Sequence, residues 1–413
     1  MIKILNKKDC CGCTACVQRC PKRCISMKED EEGFLYPVVD KNICINCGQC
    51  EKVCPLLNRP EKIVPQPQEV LAVKNRNEEE RIASSSGGVF IALAKKILEK
   101  GGVVFGAVFD ETWEVKHIYA ETFEDVKPMM GSKYMQSRIE NTYCEAEQFL
   151  KKGREVLFIG SPCQIAGLHN YLRKDYPNLL SVDFLCHGVP SPGVWRRYLN
   201  ETFSHPTHKN KTVLSSSLKP LPMLTGIEFR DKKLHGWKKY SFVVRGKFTS
   251  KADQDSVLLS NIHYDNPFMK GFLTDIYLRP SCYQCKCKNG ISHSDLTIGD
   301  FWGINVSMPK FDDDKGTSLI LINTIKGEDI FASLNVNSHR STLNAAMRFN
   351  AGFKETTVIP KNRNKFFIGY KNGIDLYKLI KLYTKKSLSA KIQDEKRKRI
   401  LLIKRVLKKL LGI

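Results

Sequence analysis

The chain has 413 residues, 42% of them hydrophobic, which is enough for two or three domains with buried cores, and its net charge of +23 indicates an acidic partner or a basic tail. No stretch approaches the ~18 consecutive apolar residues of a membrane-spanning helix, and residues 1–11 lack the apolar run of a secretory signal. We therefore expect a cytoplasmic protein. The chain has 16 cysteines, and in a reducing compartment clustered cysteines serve metal or redox chemistry more often than they form disulfides.

A repeated cysteine motif opens the chain. Two runs have the spacing C-x2-C-x2-C-x3-C followed by proline: Cys10, Cys13, Cys16 and Cys20 with Pro21, and Cys44, Cys47, Cys50 and Cys54 with Pro55. This spacing is typical of bacterial ferredoxins with two [4Fe–4S] clusters, in which the fourth cysteine of each run binds the other cluster. The predicted ligand sets are therefore Cys10, Cys13, Cys16 with Cys54, and Cys44, Cys47, Cys50 with Cys20. Structural zinc is the alternative, which the doubled spacing and both prolines disfavour.

The rest of this first domain, residues 1–58, fits a small ferredoxin fold. Residues 24–27 and 34–39 alternate between apolar and polar around 29–33, a pattern that predicts a hairpin. Cys11 and Cys24 fall outside the repeated motif and are expected to be spare cysteines. Residues 59–69, punctuated by Pro60, Pro65 and Pro67, are typical of a linker.

Beyond the linker, helix and strand patterns alternate, which favours a mixed α/β domain. Strands are predicted at 70–73, 103–109, 155–159 and 179–185. A helix is predicted at 89–99, after Ser84-Ser-Ser-Gly-Gly88, and another from Ser161-Pro-Cys163 through Leu172. The last strand ends at Cys186-His187-Gly188, and the polar stretch 204–265 holds a predicted hairpin at 226–245.

Four later cysteines are candidates for a third metal site. Cys282 and Cys285 form a CxxC pair in a polar loop, which supplies half of a four-ligand site. Cys163 and Cys186 each follow a predicted strand, so the α/β order could bring them to the pair. Each strand-end cysteine taken alone is more often a buried small hydrophobe. Cys144 and Cys287 are the competing ligands.

Several motifs together resemble the family of coenzyme F420 hydrogenase/dehydrogenase beta subunits. They stand in family order over residues 70–325: Ser85-Ser-Gly-Gly88, Gly131-Ser-Lys-Tyr134, Ser161-Pro-Cys-Gln-Ile-Ala-Gly167, Cys186, Cys282-Tyr-Gln-Cys285 and Ser294-Asp-Leu-Thr-Ile-Gly-Asp-Phe-Trp-Gly303. The resemblance implies FAD and a further [4Fe–4S] cluster, held by Cys163, Cys186, Cys282 and Cys285. It also implies electron transfer between the flavin and a partner protein or a deazaflavin. Cys287 stands where many relatives have a hydrophobic residue, so it is an alternative ligand.

A flavin site is expected at the start of the predicted helix 89–99. Ser86, Gly87 and Gly88 precede it, and free N–H groups at a helix start favour a pyrophosphate. Outside this family, plain capping is the more common explanation of such a sequence. Lys133 is the candidate phosphate-binding cation, and Tyr134 would supply a stacking ring or a hydroxyl. Asp300 and Trp302 are further candidates near the flavin, with a structural turn as the alternative. His187 is a candidate proton donor, although a single His near a metal ligand is more often structural.

These observations predict an α/β protein, α+β as a whole, with a ferredoxin-like N-terminal domain. The FAD-binding part would cover 70–150, the part with the third cluster 151–330, and a C-terminal region 331–413. Electrons would pass from the ferredoxin clusters through the third cluster to FAD, and on to a deazaflavin or an unidentified small substrate. The alternative is an electron-transfer subunit of a larger redox complex with no substrate of its own. Relatives with a fused ferredoxin domain often occur beside polysaccharide-synthesis functions, which suggests a link to that chemistry.

The end of the chain predicts a basic amphipathic helix. Apolar residues recur at helical spacing with basic residues between them: Ile400, Ile403, Leu407, Leu410 and Leu411, and Lys404, Arg405, Lys408 and Lys409. Such a helix either lies on the inner, anionic membrane surface or packs on the protein or a partner. The expected partners are a redox protein or electron donor and a small molecule. Nucleic acid is not expected, because the chain has no basic–aromatic stripe.

Overall fold

A computed structural model of the protein describes residues 1–58, 67–203, 222–247 and 255–385. These residues form the predicted mixed α/β fold, with sheets of eight, three and two strands. The predicted tail helix at 400–411 and residues 59–66 of the predicted linker lie outside the described residues. Among the helices that are described, none is long and apolar enough to cross a membrane.

The strands are numbered along the chain. They are β1 (Ile25–Glu29), β2 (Leu35–Val39), β3 (Glu69–Asn75), β4 (Val103–Phe109), β5 (Val115–Ala120), β6 (Val156–Gly160), β7 (Leu179–Phe184), β8 (Met223–Asp231), β9 (Ser241–Lys247), β10 (Ser256–Ile262), β11 (Leu296–Asp300), β12 (Ser318–Ile322) and β13 (Val336–Arg340).

The helices are numbered in the same way. They are α1 (Ala15–Gln18), α2 (Gln49–Lys52), α3 (Glu78–Ala83), α4 (Val89–Glu99), α5 (Phe123–Val126), α6 (Thr142–Lys151), α7 (Pro162–Leu172), α8 (Pro192–Phe203), α9 (Pro267–Leu273), α10 (Ile304–Ser307), α11 (Ile325–Ala332), α12 (Leu343–Met347), α13 (Arg363–Lys371) and α14 (Leu376–Tyr383).

The N-terminal unit, residues 1–58, is built from the two cysteine runs and one hairpin. Strands β1 and β2 pair antiparallel with Ile25 opposite Val39, which confirms the predicted hairpin. Each run turns into a short helix through a left-handed residue between its second and third cysteines. These residues are Thr14 (φ 59°) before α1 and Gly48 (φ 71°) before α2. The same backbone turn therefore presents three cysteines in each run.

The eight-stranded sheet has the order β13-β3-β12-β11-β7-β6-β4-β5. Its centre is parallel, because β4 pairs with β6, β6 with β7, and β7 with β11. Parallel strands place their carboxyl ends at one edge of the sheet, where α/β proteins build their sites. The ends of β6, β7 and β11 lead directly into Ser161, Leu185 and Phe301.

Alternation along the central strands gives the sheet two different faces. Val104 and Leu157 pack on the face covered by α4. Phe105 and Phe158 point to the other face, into one apolar cluster with residues of α6, α7 and the N-terminal unit. The N-terminal unit therefore packs directly on the sheet domain and shares its core.

The three-stranded sheet, in the order β10-β9-β8, comes from the polar stretch of the sequence. β8 and β9 pair antiparallel with Ile227 opposite Val244, which confirms the predicted hairpin, and β10 adds a strand that was not predicted. One face of this sheet and residues of helices α8, α9, α13 and α14 surround an aromatic core that includes the fully buried Trp195. This sheet covers the carboxyl edge of the larger sheet through residues of β8.

Candidate functional site

The first predicted ligand set comes together in the N-terminal unit. Cys10, Cys13, Cys16 and Cys54 are all buried. Burial raises the pKa of the Cys16 thiol, and the neighbouring Cys10 and Cys54 raise it further. The four thiols are thus close and shielded from water, as cysteines around a cluster are.

The second predicted set lines a separate cavity nearer the surface. Cys20, Cys44, Cys47 and Cys50 surround it, and Cys24 joins them with its Sγ 3.4 Å from Cys20 Sγ. Cys24 therefore lies beside the predicted ligands, although it stands outside the repeated motif. Cys47 is exposed, so this set reaches the protein surface.

The third predicted set also lines one cavity, here called the cysteine cavity. Cys163 lies in the first turn of α7, Cys186 follows β7, and Cys282 and Cys285 lie in and after a 3₁₀ turn at 280–284. Burial raises the pKa of the Cys186 thiol, and the neighbouring Cys282, Cys163 and Cys285 add to the effect. The α/β order thus brings the two strand-end cysteines to the CxxC pair.

Two further cysteines line the cysteine cavity, Cys11 and Cys287. Cys11 lies close to both Cys13 of the first set and Cys163 of the third. The hydrogen bond with Cys13 and burial raise the pKa of the Cys11 thiol, although the hydrogen bond with Cys163 lowers it. Cys144, the other competitor from the sequence, lies on α6 and does not line the cavity. Cys287 therefore stays an alternative ligand.

The four cysteines of the third set line one cavity and can be compared with the ligands of a metal site. Among the described residues, no group of three or more His, Cys, Asp or Glu is placed to bind a single metal ion. A cubane is larger than an ion and holds its four thiolates further apart. Four cysteines lining one cavity fit such a group by their chemistry.

A large cavity of about 630 Å³ lies beside the cysteine cavity, between the two larger sheets. It takes in nearly all the predicted flavin residues: Ser86, Gly88, Lys133, Tyr134, His187, Asp300 and Trp302. Gly87 does not line it; its N–H donates to Ser318 Oγ (2.9 Å), and a Cβ there would lie 2.3 Å from the Val73 carbonyl. Volumes of this size are typical of cofactor sites.

The start of α4 faces this cavity. Gly88 caps the 11-residue helix in a left-handed conformation (φ 82°) and supplies no side-chain cap, so the first N–H groups stay available for an anion. Buried Lys232 stabilises the loop before α4, because its Nζ donates to the carbonyl of Ser86 (2.8 Å). Ser85 Oγ accepts from the N–H of Ser132 (2.6 Å), which joins this loop to the Lys133 loop.

Lys133 lies in the cavity wall in an unusual environment. Its Nζ donates to the carbonyls of Met129, Met130 and Gly131 at 3.1–3.3 Å, and burial lowers its pKa to about 7. The ammonium has no carboxylate partner among the described residues, so an anion in the cavity would stabilise its charged form. This arrangement suits the predicted phosphate-binding role.

Arg230 is a cavity residue that the sequence did not single out. It pairs with Asp300 (Nη1 to Oδ2, 2.5 Å), and Tyr134 Oη accepts from its Nη1 (3.2 Å). Asp300 also accepts from Trp237 Nε1 (3.0 Å), whose ring stacks on Trp302 at 4.6 Å. Asp300 and Trp302 thus anchor β8 over the cavity, and the buried Nε of Arg230 has no partner in the described part of the chain.

Two histidines line the large cavity. His187 lines the cysteine cavity as well, and its Nε2 lies 2.6 Å from Asp275 Oδ1. His117 is buried, its Nε2 donates to the carbonyl of Ile159 (3.0 Å), and its Nδ1 has no partner among the described residues. Burial lowers the pKa of His117 to about 4, so near neutral pH its Nδ1 is a free acceptor. Sequence reasoning missed His117, which looks like an ordinary strand residue of β5.

Comparison with known families now identifies the chain. Sequence models of the coenzyme F420 hydrogenase/dehydrogenase beta subunit match at residues 70–142 for its N-terminal part and 153–345 for its C terminus, and a 4Fe–4S dicluster domain matches at 9–57. The chain belongs to this family of beta subunits. It is thus an iron–sulfur member of an oxidoreductase family, which confirms the resemblance found in the sequence.

Individual relatives cover both parts. One component of the F(420)H(2) dehydrogenase of Methanosarcina mazei is 22% identical over 343 residues, 80% of this chain and 83% of that protein. An uncharacterized protein of Methanocaldococcus jannaschii is 23% identical over 294 residues, 62% of this chain and 81% of its own length. A 7Fe ferredoxin of Hydrogenibacillus schlegelii is 38% identical over 64 residues, 15% of this chain and 76% of that protein.

Proposed function

We propose that this protein is an iron–sulfur flavoprotein oxidoreductase that links its ferredoxin clusters, through a third [4Fe–4S] cluster, to FAD. The observation that carries the proposal is the shared wall of the two cavities: Cys163 and Cys186 line both. A cluster on the third cysteine set would therefore adjoin whatever fills the large cavity. Cys11 places the first set beside the third in the same way.

The residues of the large cavity fit FAD by their polar chemistry. The open start of α4 and Lys133 would hold the pyrophosphate, and the unpartnered His117 Nδ1 and Arg230 Nε offer an acceptor and a donor for polar atoms of the ligand. When bound, a flavin would exchange single electrons with a cluster and a hydride equivalent with a substrate. The protein's own part is to bind it, exclude water and place it against the cysteine cavity.

His187 and its neighbours would serve the substrate. His187 lies on both cavities, and Asp275 fixes its ring, so it can hold a proton at the border between them. The substrate is proposed to be a deazaflavin or another small molecule, and the link to polysaccharide synthesis stays a prediction. The alternative is a subunit that only passes electrons to a partner. It requires the same cysteine sets, but the isolated chain would turn over no small substrate.

The test is anaerobic purification and reconstitution, followed by assay of the isolated chain. We expect stoichiometric FAD and turnover of a deazaflavin with reduced viologen as donor, followed by the visible absorbance of the deazaflavin. FAD binding without turnover would favour the electron-transfer subunit. Protein that holds its clusters but no FAD after reconstitution would contradict the flavoprotein assignment.

A further inference from the structure

The outer surface of the N-terminal unit is basic around the second cysteine set. This basic face consists of exposed Cys47 with Ile43 and Ile45, which are 50% and 58% exposed, and of exposed Lys22, Arg23 and Lys41. Lys22 and Ile45 line the same cavity as the cysteines of that set. A cation and an apolar side chain thus share the cavity of the exposed Cys47, and Arg23, Lys41 and Ile43 are exposed in the two segments that line it.

Most of the acidic residues of the unit lie away from this face, and Asp40, exposed beside Lys41, is the exception. Residues 1–58 contain seven Asp/Glu and nine Lys/Arg, and four of the acids form the run 29–32. That run is neutralised against the rest of the chain, since Glu32 pairs with Arg363 (2.5 Å), Glu31 with Lys371 (2.7 Å) and Glu29 with Arg196.

The cations of the basic face, by contrast, have no such partners. Within the described ranges, no ion pair involves Lys22, Arg23 or Lys41, while the nearby Glu51 already pairs with the N-terminal amine (2.9 Å). Asp40 offsets one of these three cations, so the outward side of the unit keeps a net positive charge. The first cysteine set lies on the inner side, next to Cys11 and the cysteine cavity.

We propose that the basic face docks a small acidic electron-carrier protein. The reduced carrier would give up one electron and be oxidised, and the cluster held by Cys20, Cys44, Cys47 and Cys50 would be reduced by that electron. The exposed isoleucines supply the dry centre of a small transient interface, and the basic residues steer an acidic partner to it. This inference rests on the proposed function, because it names the point where the proposed electron path begins.

The test uses the full chain with its clusters and FAD, and a reduced acidic plant-type ferredoxin as the probe. Stopped-flow spectra follow reduction of the clusters after mixing. We compare the native chain, the variant Lys22→Glu/Arg23→Glu/Lys41→Glu, and a matched control, Lys96→Glu/Lys100→Glu/Lys127→Glu. The control residues lie on and near α4, on the sheet face away from the N-terminal unit. Reduced methyl viologen, a small cationic donor, serves as a second probe.

We expect the basic-face variant to lose at least roughly tenfold of the second-order rate with the ferredoxin at low salt, and the native rate to fall as salt rises. The control variant should keep the native rate with the ferredoxin, and reduced viologen should still reduce the clusters of the basic-face variant. Equal ferredoxin rates in all three proteins, or rates independent of salt, would overturn the docking inference. Viologen that reduces the clusters but never the flavin would instead contradict the proposed function.

Discussion

At the scale of single residues, Arg279 joins the two cysteine-bearing parts of the molecule. It is fully buried, its Nε donates to the Cys10 carbonyl (2.8 Å), and its Nη1 donates to Gln136 Oε1 (2.8 Å). Its Nη2 lies 3.6 Å from Cys10 Sγ, and its guanidinium lies over the Tyr36 ring (4.4 Å). A fixed positive charge therefore lies beside a proposed ligand of the first cluster.

Replacing Arg279 with Gln should lower the reduction potential of the first cluster, because a cation stabilises the more negative, reduced state. We take the difference in this interaction between the two oxidation states as about half of a ~2 kcal/mol charge-assisted hydrogen bond. For one electron, that difference corresponds to a change in the reduction potential on the order of 40 mV. A redox titration monitored by electron paramagnetic resonance measures the shift. Arg279→Lys should recover part of it, and exposed Arg340→Lys is the control. An unchanged potential in a folded Arg279→Gln protein would show that this charge does not tune the cluster.

Lys133 gives a pH-dependent prediction. In the folded protein the pKa of Lys133 is about 7, below the ordinary 10.5. Below pH 7 Lys133 is charged in both the folded and the unfolded chain, so the whole cost of burying the ammonium lowers the free energy of unfolding. Stability of the FAD-free protein should rise as pH goes from 7 towards 10.5, where the unfolded chain binds more protons than the folded one. An anion beside Lys133 should restore its charge.

FAD binding at pH 8 should therefore take up close to one proton, and affinity should fall as pH rises above 7. Calorimetry in two buffers with different ionisation enthalpies measures this uptake. Lys133→Met should abolish it, which separates Lys133 from Lys232, whose pKa burial also lowers to about 7. Undiminished proton uptake by Lys133→Met would place the pyrophosphate elsewhere.

At the scale of elements, the start of α4 is the part of the flavin site most open to a direct test. Gly88 itself is unsuitable, because its φ of 82° strains other residues and a Cβ would lie 2.9 Å from Asn75 Cβ. Ser86 is half-buried, lines the large cavity and makes one side-chain hydrogen bond, from its Oγ to the Thr317 carbonyl (3.0 Å).

Ser86→Asp should release FAD while leaving the fold and the ferredoxin clusters intact. A carboxylate near a helix start favours the free helix by about 0.3–1 kcal/mol, but it repels a pyrophosphate there. Ser86→Ala, which removes the same hydroxyl without adding charge, should keep FAD. Flavin content and thermal unfolding of both variants are the measurements. Stoichiometric FAD in Ser86→Asp would place the phosphates away from α4.

The elements that could be predicted are those with strong local patterns. The strand at 103–109 and the helix at 89–99 have the predicted bounds, and the helix predicted to start within 161–163 spans Pro162–Leu172. Long apolar runs and clear helix starts define these elements. β10 was missed because it lies in a mostly polar stretch and none of its residues is buried, so it lacks the alternation of a half-buried strand. Arg230 was missed for a related reason: its partner Asp300 is 70 residues away, and only the packing of β8 over β11 brings them together.

At the scale of the whole molecule, the cysteine spacing predicted the ligand sets but not how the parts pack. The proline-punctuated stretch 59–69 predicted a linker and gave no sign of how the ferredoxin unit packs against the rest of the chain. The structure packs this unit on α6 and α7 within one apolar cluster, and Arg363 reaches Glu32 across the contact. Contacts between residues hundreds of positions apart leave no local signal, so neither Arg279 nor Cys11 could be assigned from the sequence.

This packing makes the third cysteine set the central claim of the account. The eight ferredoxin cysteines with Cys163, Cys186, Cys282 and Cys285 would hold three cubanes, or about twelve irons per chain. Cys285→Ala removes one ligand of the third cluster and leaves the ferredoxin cysteines untouched. Cys144→Ala is the matched control, because Cys144 lies outside the cysteine cavity.

The most direct measurement is iron content together with stopped-flow reduction of FAD in these two variants, prepared anaerobically. For Cys285→Ala we predict loss of about four irons, ferredoxin clusters that a low-potential donor still reduces, and FAD reduction slower by orders of magnitude. Cys144→Ala should match the native chain in both. Full iron and native FAD reduction in Cys285→Ala would contradict the assignment, and Cys287 would be the next residue to replace.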